Sequence, residues 1–131
     1  MKTSELMIGD WVHITDDDTD AHFYAKVEAI DRVGNIYVKA PGDETAYPYS
    51  IDCVKPIPLT SEILEKNGWR SIMDGTGDFY LTRLLVNAAT VTKNIIGFQM
   101  NHGPFNGLSI HYVHKLQHAL RLCDIEIEIK L

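Results

Sequence analysis

Three histidines near the carboxyl end of the chain have the spacing that places side chains on one face of an α-helix. His111, His114 and His118 are separated by three and four residues, and both intervals return to the same side of a helix. Neighbouring imidazoles can bind zinc, nickel or copper, but a functional zinc site normally adds a carboxylate or thiolate, and none is obvious nearby. We therefore expect a solvated histidine face that becomes cationic at acidic pH, with no metal and no other cofactor bound.

A run of aspartates early in the chain resembles part of a calcium-binding loop. Asp16, Asp18 and Asp20 occupy the first three ligand positions of an EF-hand-like loop. Ala21 stands where that loop needs glycine, and Val27 stands where it needs a bidentate glutamate. The run is therefore predicted to be a solvated loop between strands.

Two other segments match catalytic motifs only in part. Residues 107–111 resemble the nucleophile elbow of hydrolases, but His111 replaces its second glycine, and Ser109 is better placed as a helix N-cap. Residues 74–77 resemble an aspartic-protease motif loosely and have no second copy, and the chain has no phosphate loop or dinucleotide fingerprint. We predict no catalytic residue and no enzyme activity, with a metal- or histidine-dependent enzyme as one alternative.

Aromatic residues are frequent in the first 55 positions and could form a binding surface. Tyrosine and tryptophan provide rigid, amphipathic contacts for a partner, and they also fill small cores. Both uses are left open for the six aromatic residues of this segment, which are Trp11, Phe23, Tyr24, Tyr37, Tyr47 and Tyr49.

The acidic residues are concentrated in the same part of the chain. Residues 1–55 contain five Lys or Arg against eleven Asp or Glu, whereas residues 56–131 contain seven of each. The formal net charge of −6 therefore lies entirely in the first part, where it repels phosphate backbones and favours a cationic partner. We expect a protein or peptide partner, with a homo-oligomer as an alternative, and no useful affinity for duplex DNA.

The elements that must position these residues divide at Pro56-Ile57-Pro58, a stiff connector that can neither continue a helix nor pair in a central strand. Before it, alternating apolar residues predict strands at residues 6–15, 23–31, 35–40 and 53–54. Gly-, Asn- and Asp-containing turns separate them. Several short strands in so short a segment favour a small closed barrel, because closure removes exposed edges.

The first 55 residues resemble SH3-like barrels. Gly9-Asp10-Trp11-Val12 is similar to the "Gly-Asp-x-Val" opening strand of those barrels, and residues 47–54 are similar to their closing turn and strand. The resemblance implies a ligand groove between the first long loop, at residues 16–20, and the closing turn, at residues 47–51. It implies that the partner-binding residues are Trp11, Tyr24, Tyr47 and Tyr49.

Nearly the whole chain is similar to a family of small uncharacterised proteins of Bacteroidetes and their phages or mobile elements. The similarity rests on the opening strand, on residues 56–69, on residues 112–120 and on the ending at residues 128–131. It implies an architecture and no activity. The mobile-element association permits a nucleic-acid-associated accessory role, which the acidic charge opposes.

After the connector, the pattern predicts a helix, two strands, a second helix and a last strand. Thr60 or Ser61 is expected to cap a two-turn helix that ends at Asn67-Gly68. Strands follow at residues 79–88 and 91–100, and Ser109 is expected to cap a helix over residues 110–123. Residues 125–131 alternate strictly between apolar and charged side chains, which predicts a strand.

Composition completes the prediction. With 131 residues, 45% apolar and 23% charged, the chain is typical of a globular protein. No apolar stretch approaches the ~20 residues of a membrane-spanning helix, and Glu5 and Asp10 interrupt the place of a signal peptide. We expect a cytoplasmic protein without a membrane partner, in which Cys53 and Cys123 are free, buried thiols.

These features together predict an α+β fold. An SH3-like barrel at residues 1–55 is followed by a helix-strand-strand-helix-strand subdomain at residues 56–131, and the two are expected to pack as one compact unit. The predicted function is a non-catalytic protein-interaction or accessory module.

Overall fold

The structure is a computed structural model, which describes residues 1–71, 78–81, 90–94, 97–101 and 108–131, with side chains at residues 1–69 and 109–131. It has an α+β fold and divides into two compact units, Met1–Ile57 and Pro58–Leu131, which are described separately below. Among the residues so described, none of the helices has the length and apolar character needed to cross a membrane.

The first unit is built on one antiparallel sheet of five strands. The strand order is β4-β3-β2-β1-β5, and short 3₁₀ helices lie at Thr3–Glu5 and at Ile51–Cys53, immediately before the last strand. The strands are β1 (Trp11–Asp16), β2 (Ala21–Ile30), β3 (Ile36–Lys39), β4 (Tyr47–Tyr49) and β5 (Val54–Lys55).

Alternation of apolar and polar side chains explains why these segments form strands with one buried face. Val12 and Ile14 on β1 are completely buried, and Val12 pairs with the equally buried Ala25 of β2. Burying each valine or isoleucine side chain stabilises the fold by about 1.5–3 kcal/mol. The core of this unit consists of Leu6, Val12, Ile14, Ala25, Val27, Ile36, Val38 and Val54.

A tight turn at Gly9 and Asp10 sets the start of β1. Gly9 has a φ of 90°, which a residue with a side chain adopts with difficulty. The buried carboxylate of Asp10 accepts a 2.8 Å hydrogen bond from the Met7 N–H, and the Val27 N–H donates to the Asp10 carbonyl at 2.9 Å. The Gly-Asp pair in the sequence therefore has a structural role, because it anchors the start of β1 to β2.

The β2–β3 hairpin turns where the sequence predicts it. Gly34 has a φ of 92°, and the Asp31 carboxylate accepts hydrogen bonds from the Val33 N–H, the Asn35 N–H and the Asn35 side-chain amide at 3.0, 2.9 and 2.8 Å. The Asn35 amide, followed by its backbone N–H, holds the pKa of Asp31 below its ordinary value. Asp31 is thus the acceptor that organises this turn.

The predicted closure of the sheet into a barrel is not observed. Strands β4 and β5 stand at opposite edges of the strand order, and they contain only three and two residues. Strands this short could form only a few hydrogen bonds with each other. Short edge strands also protect an open sheet against pairing with the strands of another molecule. Pro48, at the centre of β4, adds to that protection because it has no N–H to offer.

The second unit contains a second antiparallel sheet, with the order β10-β9-β8-β7-β6. The subdomain predicted with two central strands therefore has five. The elements are α1 (Ser61–Lys66), β6 (Trp69–Ser71), β7 (Asp78–Leu81), β8 (Thr90–Asn94), β9 (Gly97–Asn101), β10 (Leu108–Ile110) and α2 (Val113–Leu122).

The strand predicted at residues 91–100 is divided into two. Its halves fall in β8 and β9, which pair as a hairpin that extends to Asn94 opposite Gly97. The strand predicted at residues 79–88 corresponds to β7 at its start, and residues 82–89 lie outside the described part of the chain. The turn predicted at residues 74–77 also lies outside it.

The first helix is capped as predicted. The Thr60 hydroxyl accepts a hydrogen bond from the Ile63 N–H at 3.3 Å, and this satisfies one of the free donors of the first turn. The helix ends before Asn67, and Gly68 follows with a φ of 93°.

The second helix begins later than predicted. Ser109 is not its N-cap, because it lies in β10 opposite Gln99, and Tyr112 precedes the first helical residue without a side-chain cap. The His111 carbonyl accepts a 2.9 Å hydrogen bond from the Leu59 N–H. This contact between distant parts of the chain keeps the backbone extended where local propensity predicts the helix to start.

Residues 125–131 keep the predicted alternation without joining a described sheet. Ile125 and Ile129 are buried, while Glu126 and Glu128 are exposed. The segment is not assigned as a strand, and the backbone of Lys130 pairs with the side chain of Asn67. The apolar pattern therefore predicted the buried side chains correctly, but the prediction of a strand was wrong.

The two cysteines are free thiols, and both are half-buried rather than fully buried as predicted. Burial raises the pKa of the Cys53 thiol, and the nearby Asp16 carboxylate adds to the rise. Burial also raises the pKa of the Cys123 thiol, with a further contribution from Asp124.

Candidate binding face

The two central strands of the first sheet have one side that faces away from the core of their unit. Val12 and Ile14 on β1 are buried in that core. Because successive side chains of a strand point to opposite faces, Trp11, His13 and Thr15 lie on the other side of the sheet. This side is named the outer face below.

Strand register brings side chains of β2 onto the outer face. Trp11 pairs with Lys26 and His13 pairs with Tyr24, and directly paired residues share a face of the sheet. His22, two residues before Tyr24, lies on the same face. Aromatic, imidazole and ammonium groups are therefore interleaved across two adjacent strands.

The rings on the outer face form a small cluster. The His13 and Tyr24 ring centroids are 5.1 Å apart with an interplanar angle of 67°, and the His13 and His22 centroids are 6.2 Å apart. Tyr24 is 48% exposed, and the side chain of His22 is 52% exposed. Two rings of this cluster are thus available to a ligand, and His13 supports them from β1.

Three lysines flank these rings on the outer face. The Lys26 ammonium lies 5.1 Å from the centroid of the Trp11 ring, in the geometry of a cation–π interaction. Lys39 on β3 pairs with Lys26, and Lys55 on β5 pairs with His13. The ring cluster on β1 and β2 therefore has cations on both sides, with Lys55 on β5 and Lys39 on β3.

Most acidic residues of this unit lie in turns and loops rather than on the outer face. Glu28 is the acidic residue nearest to these lysines along β2, and it lies at the register shift between Val27 and Ala29. At the loop end, the Asp20 carboxylate is 3.7 Å from the His22 ring nitrogen, and both side chains are well exposed. A contact so exposed contributes little stability.

Hydrogen bonds within the aspartate loop hold its conformation. The Asp16 carboxylate accepts hydrogen bonds from the Asp18 N–H at 3.1 Å and from the Thr19 hydroxyl at 2.8 Å. Asp20 adopts a φ of 55°, which lets the loop return into β2. The loop is exposed, as expected from the sequence.

The predicted partner-binding residues are divided between the two faces of the sheet. Trp11 and Tyr24 both lie on the outer face, where Trp11 is 8% exposed. Tyr47 pairs with Val38, a core residue of β3, and so lies on the core side of an edge strand. Its exposure of 56% reflects that edge position.

Tyr49 contributes to the core of the first unit. It pairs with the buried Ile36, and its ring centroid is 6.0 Å from that of Phe23, with an interplanar angle of 68°. Both rings pack against the core cluster. Of the four residues implied by the SH3-like resemblance, the structure thus groups Trp11 with Tyr24 and separates them from Tyr47 and Tyr49.

Sequence reasoning missed most of the side chains that accompany Tyr24 on the outer face. The signal was present, because the alternation that buries Val12 and Ile14 also assigns the residues between them to the opposite side. Pairing β1 with β2 around the loop at residues 16–20 would then have placed His22 and Lys26 on the same face. The missed residues are His13, His22, Lys26, Lys39 and Lys55.

The three histidines of the second unit do not form the expected solvated face. His111 precedes helix α2, His118 is half-buried, and His114 is 1% exposed. The His114 ring stacks on Tyr112 at 5.8 Å and meets His118 edge-on at 5.7 Å. The prediction failed because the buried stripe of α2 is wider than its apolar residues and includes Val113, His114, Leu116, Gln117, Ala119 and Leu120.

Among the described side chains, no three from His, Cys, Asp or Glu come together in a way that could hold a metal ion.

A cavity of about 510 Å³ lies in the second unit between α2 and the segment that follows it. Among its described lining residues, Arg121 is basic, and Asp124, Glu126 and Glu128 are acidic. Leu120 and Ile125 supply apolar wall. The described lining of this cavity therefore carries more carboxylates than cations, in contrast to the lysines of the outer face.

Comparison of the chain with models of known protein families, with curated proteins and with solved structures gave no match. The similarity to the Bacteroidetes family therefore stays a prediction from the sequence.

Proposed function

We propose that residues 1–57 form a non-catalytic binding module of SH3-like topology, and that its ligand contacts the outer face of the sheet. The observation that carries the proposal is the exposed ring of Tyr24, packed edge-on against His13 and flanked by lysines. Tyrosine is enriched among the residues that contribute most to binding, and an exposed ring beside several cations offers a ligand both stacking and charge.

The SH3-like part of the proposal is supported by strand order. In the order β4-β3-β2-β1-β5, the opening strand β1 pairs with the closing strand β5, and these are the two segments on which the resemblance rests. The proposal concerns topology and does not require hydrogen-bonded closure between β4 and β5.

The position of the outer face on the central strands also favours binding. Strand β1 pairs with both β2 and β5, and β2 pairs with both β1 and β3. Side chains on strands paired on both sides are held more rigidly than those on loops, and less conformational entropy is lost when they bind. His13 and Tyr24 are therefore pre-organised for a ligand.

The local charge of the outer face favours an anionic ligand. The charge balance of residues 1–55 predicts a cationic partner, but the groups that a ligand on this face would meet are Lys26, Lys39 and Lys55. At physiological ionic strength, charges beyond about 8 Å are largely screened. The three lysines within contact distance of a bound ligand therefore outweigh Asp20, the loop carboxylate 3.7 Å from the His22 ring, while the more distant acidic residues are screened.

Nuclear magnetic resonance on the full chain tests this proposal. An Asp/Glu-rich peptide, a Lys/Arg-rich peptide and a short single-stranded oligonucleotide are titrated separately while the backbone amides are followed. We expect an anionic ligand to shift the amides of residues 11–15, 22–26 and 55 and to leave those of the second unit unchanged. Binding of the Lys/Arg-rich peptide alone, at residues 16–20, would overturn the choice of face, and the absence of shifts with all three ligands would overturn the proposed function.

A further inference from the structure

We infer that the outer face binds single-stranded nucleic acid, with bases stacked on Tyr24 and His22 and phosphates contacted by the flanking lysines. The inference rests on the proposed function and specifies its ligand class. Proteins that bind single strands without sequence preference combine aromatic stacking with a positively charged path for the backbone. The outer face places both kinds of group side by side.

The stacking groups are two exposed rings on one strand. Tyr24 and His22 are separated by one residue on β2, so their side chains leave the same face about 7 Å apart along the strand. Each is about half exposed. Two neighbouring bases of an unpaired strand therefore meet two separate rings, while His13 packs against both from β1.

The cations define a path across the sheet for the phosphates. Lys55 on β5, Lys26 on β2 and Lys39 on β3 lie in adjacent register positions, and neighbouring strands are about 4.8 Å apart. The lysines therefore span about 14 Å from β5 to β3, with the rings between and beside them. A strand that crosses the sheet keeps its phosphates within reach of these ammonium groups while its bases reach the rings.

The rings decide between a single strand and the other anionic polymers. A duplex keeps its base faces stacked inside, so it offers only phosphates to this face and leaves the rings of Tyr24 and His22 without a stacking partner. An acidic peptide uses the lysines but has no group that needs two adjacent exposed rings. An unpaired base has a π-face for each ring, which makes single-stranded nucleic acid the ligand that uses every group present.

Fluorescence anisotropy on the full chain tests this inference. The probes are a labelled 12-nucleotide oligo(dT), its RNA counterpart, a 12-base-pair duplex and an Asp/Glu-rich peptide, each at 50, 100 and 200 mM salt. We expect both single strands to bind with a dissociation constant of about 10⁻⁴ to 10⁻⁶ M. With three phosphate contacts, the slope of log K against log salt is expected to be about −2.

Matched variants separate stacking from charge. Tyr24→Ala is expected to weaken binding of the single strands at least about fivefold, and Tyr24→Phe is expected to retain most of it. The control is Tyr47→Ala, which removes a ring of similar exposure from the core side of the sheet and should leave binding unchanged. Lys55→Gln is expected to reduce both affinity and salt slope, whereas Arg32→Gln, in the exposed β2–β3 turn, should change neither strongly.

The outcomes show whether only the inferred ligand class is wrong or the proposed binding function is wrong as well. If only the acidic peptide binds and Lys55→Gln weakens it, the binding module stands and the nucleic-acid inference is wrong. If the duplex binds as tightly as the single strands and Tyr24→Ala has no effect, stacking is refuted. If none of the four probes binds at millimolar protein, both the inference and the proposed function fail.

Discussion

The side chain of Asn67 pairs with the backbone of Lys130 as a neighbouring strand would. Its Nδ2 donates to the Lys130 carbonyl at 2.7 Å, and the Lys130 N–H donates to its Oδ1 at 2.7 Å. The same Nδ2 also donates to the Ile63 carbonyl at the end of α1, at 2.7 Å. One carboxamide therefore joins the first helix of the second unit to the last residues of the chain.

Asn67→Ala is expected to destabilise the protein by about 1–3 kcal/mol, because it removes three hydrogen bonds of roughly 1 kcal/mol each, partly offset by water. Urea denaturation of the full chain measures the change. Deletion of Lys130 and Leu131 provides the control, since Asn67→Ala should cost clearly less in the shortened chain. Equal costs in both backgrounds would show that the pairing with Lys130 contributes nothing.

Asp31 is expected to make the stability of the first unit depend on acidic pH. Hydrogen bonds lower its pKa below the ordinary value of 3.8, so its stabilising contribution is fully present above the pKa of the unfolded chain and disappears as the pH falls through the lower pKa of the fold. Thermal melts between pH 7 and pH 2.5 should show a smaller loss of melting temperature for Asp31→Asn than for the wild type. Parallel curves for the two proteins would refute this.

Alanine substitutions of the four predicted partner-binding residues should differ in how much they lower the free energy of unfolding. Trp11→Ala removes a buried ring and is expected to cost about 3–5 kcal/mol, and Tyr49→Ala, half-buried against Phe23, about 1–3 kcal/mol. Tyr24→Ala and Tyr47→Ala remove exposed rings and should each cost less than about 1 kcal/mol. Urea denaturation of the four variants measures this. A loss of folding in the Tyr24 variant would remove that residue from the binding face.

Cys53 is expected to react slowly with alkylating reagents at neutral pH. Burial raises the pKa of its thiol, with Asp16 as the next cause, and only the thiolate reacts. In a Cys123→Ser background, the rate of iodoacetamide modification should rise at a higher pH in the folded protein than in urea. A coincident pH profile in both states would contradict the pKa shift.

Local pattern was sufficient to predict much of the fold. Alternation identified β2 and β3 to within two residues at each end and β1 with a start predicted five residues too early. The hydroxyl of Thr60 with the Asn67-Gly68 pair identified the limits of α1. These features depend on residues a few positions apart. The α+β class follows from them.

The features that were predicted wrongly depend on contacts between distant residues. The hydrogen bond from Leu59 to His111 delays the start of α2, and no local signal reports it. Burial of His114 depends on how much of the circumference of α2 is buried, which the apolar pattern of the helix does not show. The partner-binding residues stay a prediction, and the placement of Tyr24 and Tyr47 on opposite sides of the sheet follows from the register of β3 with β4, which aromatic content does not reveal.

The proline in β4 has a consequence for how the protein behaves at high concentration. Tyr47 and Tyr49 flank Pro48 in a strand of three residues, and proline is accommodated in an edge strand where its nitrogen faces away from the neighbouring strand. An incoming strand would therefore find no N–H donor at the middle of this edge. Growth of the sheet from one molecule to the next, the first step toward fibrous aggregates, is blocked on the β4 side by a single imino acid.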